Sequence, residues 1–488
     1  MNRALPPLAR TVVAAACAVV LAGCVSMAPR YDRPDAPVPA QFPDSPAGDA
    51  AAQAVASLDW RQVFLDPRLQ QVIAQALDNN RDLRVAVLNI EKARAQYRIQ
   101  RADLLPSVDA VASQTAQRSS AATSGTGSSQ VGRSVSAEVG FSSWELDLFG
   151  RIRSLKNEAL ETWLATAQTQ RSTRMSLVAE VAGDWLTVGA YQQRLALARR
   201  TLDSQRETLR LTGIKHEQGI VSGLDLAQVR TSVESARADV ASYTTALAQA
   251  RNALDLVAGA PVADALLPGE EGGDAVALAP LPADLSSTVL LQRPDVLSAE
   301  HTLKAANADI GAARAAFFPT VSLTASTGRG SDQLSSLFDS GTRTWSFVPS
   351  ISIPIFQAGA LKASLDAAKI QKQIEVANYE KAVQTAFGEV ADALAARANI
   401  GEQLDAQRAL VAASQRGYDL TDMRYRNGVS SYLEALDAQR TLYSAEQSLI
   451  TLRLSEATNR ITLYKVLGGG ADAVSDADAA TVQGWPRD

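Results

Sequence analysis

Ser134-Val135-Ser136-Ala137-Glu138-Val139-Gly140-Phe141-Ser142 sets Val135, Ala137, Val139 and Phe141 at every second position, against Ser134, Ser136, Glu138 and Ser142. Successive side chains of an extended chain point to opposite faces, so this stretch makes a strand with one apolar and one polar face. The strand is read over Ser134 to Leu148. An earlier one covers Ser107 to Ser113, and a Ser-, Thr- and Gly-rich loop, Ser119 to Gly132, joins the two. Further along, Val321, Leu323 and Ala325 alternate with Ser322, Thr324 and Ser326, before a loop around Gly328 to Thr342 and a strand from Thr344 to Ile355. Such alternation over about ten residues is the pattern of a barrel wall with lipid outside and water inside. It also suits a surface hairpin on a helical protein. Trp144, Trp345 and Phe347 fit an aromatic belt at a membrane interface. One chain supplies only four such strands, too few to close a barrel, so the membrane reading requires an oligomer.

Between the strand pairs the period changes. Val181, Val188, Leu195, Leu202 and Leu209 follow a seven-residue step, while Val229, Val233, Ala236, Val240, Tyr243, Leu247, Ala250, Leu254 and Val257 alternate steps of four and three. That is a coiled-coil seam on two successive helices, and a strict seven-residue repeat winds them left-handed. Val390, Leu404, Val411 and Tyr418 continue the pattern in a later pair, as do Leu442, Ala445, Leu449, Leu452, Leu463 and Val466, with departures at Arg397, Glu456 and Asn459. The first helix of each pair, about Ile152 to Lys215 and about Leu361 to Tyr425, lacks Pro and could reach roughly 90 to 95 Å. Gly219 and Gly428 mark tight turns into the return helices.

The chain is written twice. Arg81-Asp82-Leu83 through Pro106 recurs as Arg293-Pro294-Asp295 through Pro319, Glu180-Val181-Ala182 matches Glu389-Val390-Ala391, and Gly259 matches Gly468. A period of about two hundred residues is far longer than that of solenoid repeats, so this is a duplicated half. The expected divisions are a signal peptide over 1–23, an extended segment over 24–65, repeats over 66–259 and 285–469 joined by a linker over 260–284, and a tail over 470–488. At the start, Arg3 and Arg10 precede the apolar Thr11 to Leu21, too short for a permanent membrane helix, and Leu21-Ala22-Gly23-Cys24 has the form of a lipoprotein cleavage site. Cys17 would leave with the signal, so Cys24 would carry lipid as the sole mature thiol. Val25 after it favours sorting to the outer membrane, by resemblance to other bacterial lipoproteins.

With 47 basic and 52 acidic residues the net charge is −5, and nothing suggests nucleic-acid binding. The only histidines, His216 and His301, stand outside any metal-ligand cluster, no phosphate-binding Gly loop is present, and no catalytic triad can be argued. An enzyme is not expected, nor is a cofactor beyond the covalent lipid.

Trp144-Glu145-Leu146-Asp147-Leu148-Phe149-Gly150-Arg151, Leu291-Gln292-Arg293-Pro294-Asp295 and Arg424-Tyr425-Arg426-Asn427-Gly428-Val429, followed by Tyr432-Leu433 and Leu436-Asp437-Ala438-Gln439-Arg440, resemble the TolC-type outer membrane efflux family. The likeness is to its lipoprotein branch, the NodT- and OprM-like components of RND efflux systems, over nearly the whole mature chain. The resemblance implies a mainly α fold with a transmembrane β-barrel portion: a homotrimer with a twelve-stranded barrel in the outer membrane and a helical tunnel crossing the periplasm. It implies export of small molecules such as drugs, with a periplasmic membrane-fusion adaptor and an inner-membrane RND pump as partners. A poreless periplasmic coiled-coil adaptor or structural lipoprotein, and an exit duct for type I protein secretion, are the alternatives.

The return turns are where a gate is expected. Ser222-Gly223-Leu224-Asp225 and Ser431-Tyr432-Leu433-Glu434 both have the form of a capping box. Asp225 and Glu434 therefore have a structural role open to them, whereas Asp437 lies a turn beyond Ser431. By resemblance, Glu434 and Asp437 match acidic positions ringing a periplasmic aperture, Leu433 an apolar constriction, and Asp225 an acidic partner in links that hold the tip shut. Ser430 stands where some members of the family place an arginine for that link.

Overall fold

The computed structural model describes residues 26–42, 59–122, 127–269 and 286–469. The signal peptide, Cys24, most of the 260–284 linker and the 470–488 tail fall outside them. In chain order the main elements are α1 (Trp60–Val63), α2 (Pro67–Asn79), α3 (Arg81–Ala102), β1 (Asp109–Ser119), β2 (Gln130–Leu146), α4 (Arg151–Glu217) and α5 (Gly223–Ala258). The second half follows with α6 (Pro294–Ala315), β3 (Thr320–Ser331), β4 (Arg343–Ser352), α7 (Ala360–Arg426) and α8 (Tyr432–Val466). Helices α4 and α7 are 67 residues each, a length of roughly 100 Å. No helix among the described residues is long and apolar enough to cross a membrane.

The chain divides into two compact units: Met1–Asp35, Asn89–Ala167 and Ser298–Tyr379 form one, and Ala36–Leu88, Gln168–Leu297 and Glu380–Asp488 the other. The first holds a four-stranded antiparallel sheet in the order β1-β2-β3-β4. Its register sorts the side chains. Ala112, Ala137, Arg329 and Arg343 lie across from one another, as do Phe141, Ala325 and Phe347, on one face. Ser113 and Ser136 share a hydrogen bond of 2.9 Å on the other, where the Ser326 hydroxyl meets Glu138 and Ser346, each at 2.8 Å. There, Gly140 opposes Ser326 and Gly328 opposes Glu138, and a Cβ at either glycine would lie 2.2 Å from a carbonyl oxygen of the neighbouring strand.

A bulge keeps this sorting intact. Phe141 pairs with Ala325 and Trp144 with Leu323, so β2 spends one extra residue there, with Ser143 at φ 54°. Without it the even-numbered Trp144 would face the polar side. With it Trp144 stays beside Phe141, their rings edge-on at 6.2 Å. Trp345 and Phe347, on the same face, are exposed in the single chain.

The strands outrun the sequence reading. β1 begins at Asp109 and runs to Ser119 instead of covering Ser107 to Ser113, because pairing with β2 continues through Gln114, Gln117 and Arg118, where side-chain alternation is lost. β2 starts at Gln130, inside the expected loop, and ends at Leu146; β3 continues past Gly328 to Ser331. β4 stops at Ser352 rather than Ile355, because its last ladder partner is Thr320, the first residue of β3.

Strand and helix meet in the Trp144 to Arg151 motif. Arg151 makes a fork to Glu145 at 2.6 and 2.9 Å, and Asp147 accepts from the Arg153 amide at 2.9 Å, capping α4. The first described residues lie as a strap on α6. Tyr31 and Arg33 donate to the buried Glu300, Asn307 to the Pro29 carbonyl and Arg314 to the Met27 carbonyl. At Gly311, an added Cβ would come within 2.7 Å of the Ala28 nitrogen.

In the second unit the expected seams pack. Val181, Val188, Leu195 and Leu202 are buried, and Leu202 meets Val233 and Ala236 of α5. On α8 the buried position moves from Leu449 to Ile450, which packs with Ala190 and Leu197 of α4. Asn459, a seam departure, donates to the Ala393 carbonyl at 3.0 Å. Arg293 is the hub of the Leu291 to Asp295 motif: its side chain, 6% exposed, grips Asp295, Glu389 and the Val466 carbonyl.

Candidate functional site

Both return turns lie in the second unit and are built alike. Helix α4 ends with the Gly219 amide on the His216 carbonyl at 2.9 Å and the Ile220 amide on Lys215 at 2.8 Å. α7 ends with Gly428 on Tyr425 at 3.0 Å and Val429 on Arg424 at 2.9 Å. This paired closure needs a left-handed residue, and Gly219 and Gly428 sit at φ 72° and 71°. Nothing crowds either glycine, so the dihedral alone selects it. Ile220 and Val429, which often pack back onto the helix in such turns, are instead 66% and 67% exposed.

The helices that follow start differently. At α5 the box closes: the Asp225 amide donates to Ser222 Oγ at 3.1 Å, and Asp225 Oδ2 accepts from the Ser222 amide at 3.0 Å and hydroxyl at 2.7 Å. At α8 the expected second box is not formed, since the Ser431 side chain makes no capping bond. Ser431 and Glu434 are both exposed, so water solvates them, and the helix entry is fixed by Tyr432, 5% exposed, which packs with Val229 and Leu436 against Leu209 and Tyr425.

Tyr432, Ala435 and Leu436 take the buried side of α8, which leaves Leu433, Glu434 and Asp437 together on its open side. Leu433 is 55% exposed. Among the described residues no hydrogen bond or ion pair joins Asp225 to Glu434, Asp437 or Ser430 within one chain. The Ser430 hydroxyl is buried without a hydrogen-bond partner. The chain thus presents the three α8 residues as a set and keeps Asp225 in its own cap.

Behind the turns lies a polar layer that the sequence reading did not single out. Tyr432 donates to Gln205 Oε1 at 3.1 Å, and Gln205 in turn donates to Gln439. Thr212 and Tyr425 share a hydroxyl contact of 3.4 Å, and the Tyr425 and Tyr432 rings meet at 5.4 Å. Gln205 and Thr212 are 3% and 0% exposed. They follow Leu202 and Leu209 by three, the second core position of each heptad, where a polar residue fixes register. Burial pushes the Tyr432 hydroxyl up to about 12, so it stays protonated and a donor at neutral pH. Tyr432→Phe should lower stability by about 1 kcal/mol through the lost bond, measured as a shift in the urea midpoint of the purified protein.

With this geometry in hand, the profile of the outer membrane efflux proteins matches residues 72–260 and 285–469. The chain belongs to the outer membrane efflux protein family. Among its relatives, the antibiotic efflux pump outer membrane protein ArpC of Pseudomonas putida is 52% identical over 460 residues, 93% of this chain and 94% of that protein. The toluene efflux pump outer membrane protein TtgC of the same species shows the same identity and coverage. The open-state crystal structure of the Neisseria gonorrhoeae MtrE outer membrane channel is 40% identical, covers 92% of this chain and 99% of that one, and superposes with a TM-score of 0.82. For this efflux protein the two matched segments each contain one strand pair and one long helical hairpin.

Proposed function

We propose that this protein is the outer-membrane channel of a tripartite efflux pump, a homotrimer whose three sheets close a twelve-stranded barrel and whose helices form a periplasmic tunnel. The observation that carries this reading is the sorted sheet: four strands with an apolar face, a serine-lined face, and β1 and β4 as open edges. Unpaired edges are not tolerated in lipid, and cyclic copies close them. The apolar face then meets lipid and the Ser113, Ser136, Glu138 and Ser326 side lines the lumen. An inner-membrane RND pump and a periplasmic adaptor supply cargo of the small-molecule drug and solvent class, as the relatives' names support. Native mass spectrometry in detergent should find three chains, and the same sample should conduct in a planar bilayer. A stable monomer without conductance would sink the proposal in favour of a poreless periplasmic protein.

Anchoring follows the same logic. Cys24 is the lipidated mature N-terminus, with a thioether-linked diacylglycerol and an amide-linked acyl chain. Support comes from the strap: Met27 is held at Arg314, near the end of α6 that leads into β3. Three residues reach at most about 10 Å, so a lipid on Cys24 would be tethered within that distance of Met27. Each buried methylene contributes about 0.8 kcal/mol, and several chains make a stable tether. Mass spectrometry of the N-terminal peptide should show the lipid. Cys24→Ser should impair processing while trimers still form, because the strands hold the membrane without it.

A further inference from the structure

The hairpin end of the sheet changes character on its apolar face. The register that puts Ala112, Ala137, Phe141 and Phe347 there also puts Arg118, Arg133, Arg329 and Arg343 on it, all toward the β1–β2 and β3–β4 connections. Arg329 and Arg343 are direct cross-strand partners, an arrangement of like charges that is unfavourable without a counter-charge. Arg329 is drawn into the β3–β4 connection, donating to the Phe338 and Asp339 carbonyls at 3.0 Å each and to Thr342 at 3.1 Å. Arg118 donates to Ser129 at 3.2 Å. Arg133 and Arg343 are exposed and have no acidic partner among the described residues. Glu138, the nearest carboxylate on β2, points to the other face and holds Ser326.

Beside Arg133 the sheet and the β3–β4 connection leave a groove of about 790 Å³. Val131, Arg133 and Val135 form its sheet wall, and Asp332, Gln333 and Leu334 face them. Val131 is 60% and Leu334 66% exposed. The groove is of mixed character, with Gln114, Gln333 and Ser335 in its lining. Its exposed apolar groups, Val131 and Leu334, flank the Arg133 guanidinium at the margin of an apolar band, so that an acyl chain fits against those two side chains while an anionic phosphate takes the arginines' forked donors. A soluble anion has no use for the walls, and a neutral lipid has none for the four arginines, against which Asp332 and Asp339 are the acidic groups of the β3–β4 connection.

We propose that this end of the outward sheet face is a binding site for the phosphorylated headgroup of an anionic membrane lipid, held by Arg133 and Arg343 with Arg118 beside them. The proposal rests on the channel reading, which turns this face to lipid. Its consequence is a barrel held at a fixed height by its own shell of lipid.

The test uses the full-length protein in detergent and an Arg133→Gln, Arg343→Gln double variant, both changes being at exposed positions. Native mass spectrometry with phosphatidylglycerol and phosphatidylcholine of identical acyl chains should show the wild type retaining phosphatidylglycerol preferentially. The variant should lose roughly tenfold of that preference, and millimolar inorganic phosphate should not displace the lipid. Equal retention of the two lipids, or an unchanged preference in the variant, overturns the site; displacement by phosphate makes it a free-anion site instead. Conductance of both proteins in a neutral bilayer is read separately. Channels from both with no lipid preference sink only the site, whereas no channels from either sink the channel reading.

Discussion

Asp437→Ala combined with Leu433→Ala should raise single-channel conductance and let antibiotics enter cells that lack the pump, and Asp437→Ala alone should reduce cation selectivity. Both side chains lie on the open side of α8 while Tyr432, Ala435 and Leu436 hold the helix from the other. The substitutions therefore change exposed side chains, the ones that line the pore on the gate proposal, without disturbing what packs. On the gate proposal, a trimer would bring three copies of Asp437 around one aperture. At a distance of ~7 Å in water each carboxylate attracts a monovalent cation by roughly 0.6 kcal/mol. Salt screening reduces the sum to about 1 kcal/mol, about fivefold in cation preference. On the same proposal Leu433 would add an apolar constriction that dewets and conducts only when widened. Currents of the double variant that match wild type in size and selectivity would leave these residues as helix-surface groups and move the gate elsewhere.

Arg293→Met should be the most destabilising single change, at about 3 kcal/mol. The guanidinium holds Asp295 through two bonds of 2.7 and 3.0 Å, Glu389 at 2.7 Å and the Val466 carbonyl at 2.8 Å. Burial alone works against its charge, and the bonds to the two carboxylates more than offset that. Removing one partner of a buried ion pair costs about 3 to 5 kcal/mol. The lower end applies because Asp295 and Glu389, 39% and 45% exposed, can turn to water, whereas the Val466 carbonyl cannot. Arg293→Lys should recover little, since an ammonium cannot span three acceptors in a planar fork. The urea midpoint of the purified protein reports the change, and a midpoint equal to wild type would show the hub to be dispensable.

The long helices were legible almost to the residue, Ile152 to Lys215 against Arg151–Glu217 and Leu361 to Tyr425 against Ala360–Arg426. Their sequence lacks Pro and carries a period of seven, and their ends are set by glycines that only a left-handed turn explains. Strand existence was legible from alternation, but strand length was not, because the backbone ladder of β1 and β2 continues where Gln114 and Arg118 interrupt the pattern. The bulge at Ser143 was hidden for a related reason: it is a shift in pairing, which one strand's sequence does not record. At the turns the first capping box was readable and real, while the second matched the same letters and did not form. Burial of Tyr432 decided that, and burial depends on residues more than two hundred positions away. The Gln205 layer was missed because the seam was followed by its apolar step alone.

The strap also says something about the order of events in the cell. Tyr31 and Arg33 find Glu300 across 269 and 267 residues of chain, and Met27 finds Arg314 across 287. Closing so long a loop is an entropic cost that no local contact can repay early, so the strap docks only after the second repeat has begun to fold. Until then Tyr31, Arg33 and the Met27 carbonyl lack the partners they hold in the folded chain. On the proposal that Cys24 carries lipid, the enzymes that cleave and acylate it would act while the second half is still unmade and the strap has not docked. Docking then ties Met27, Pro29, Tyr31 and Arg33 to α6, which on the lipidation proposal makes processing a step with a deadline.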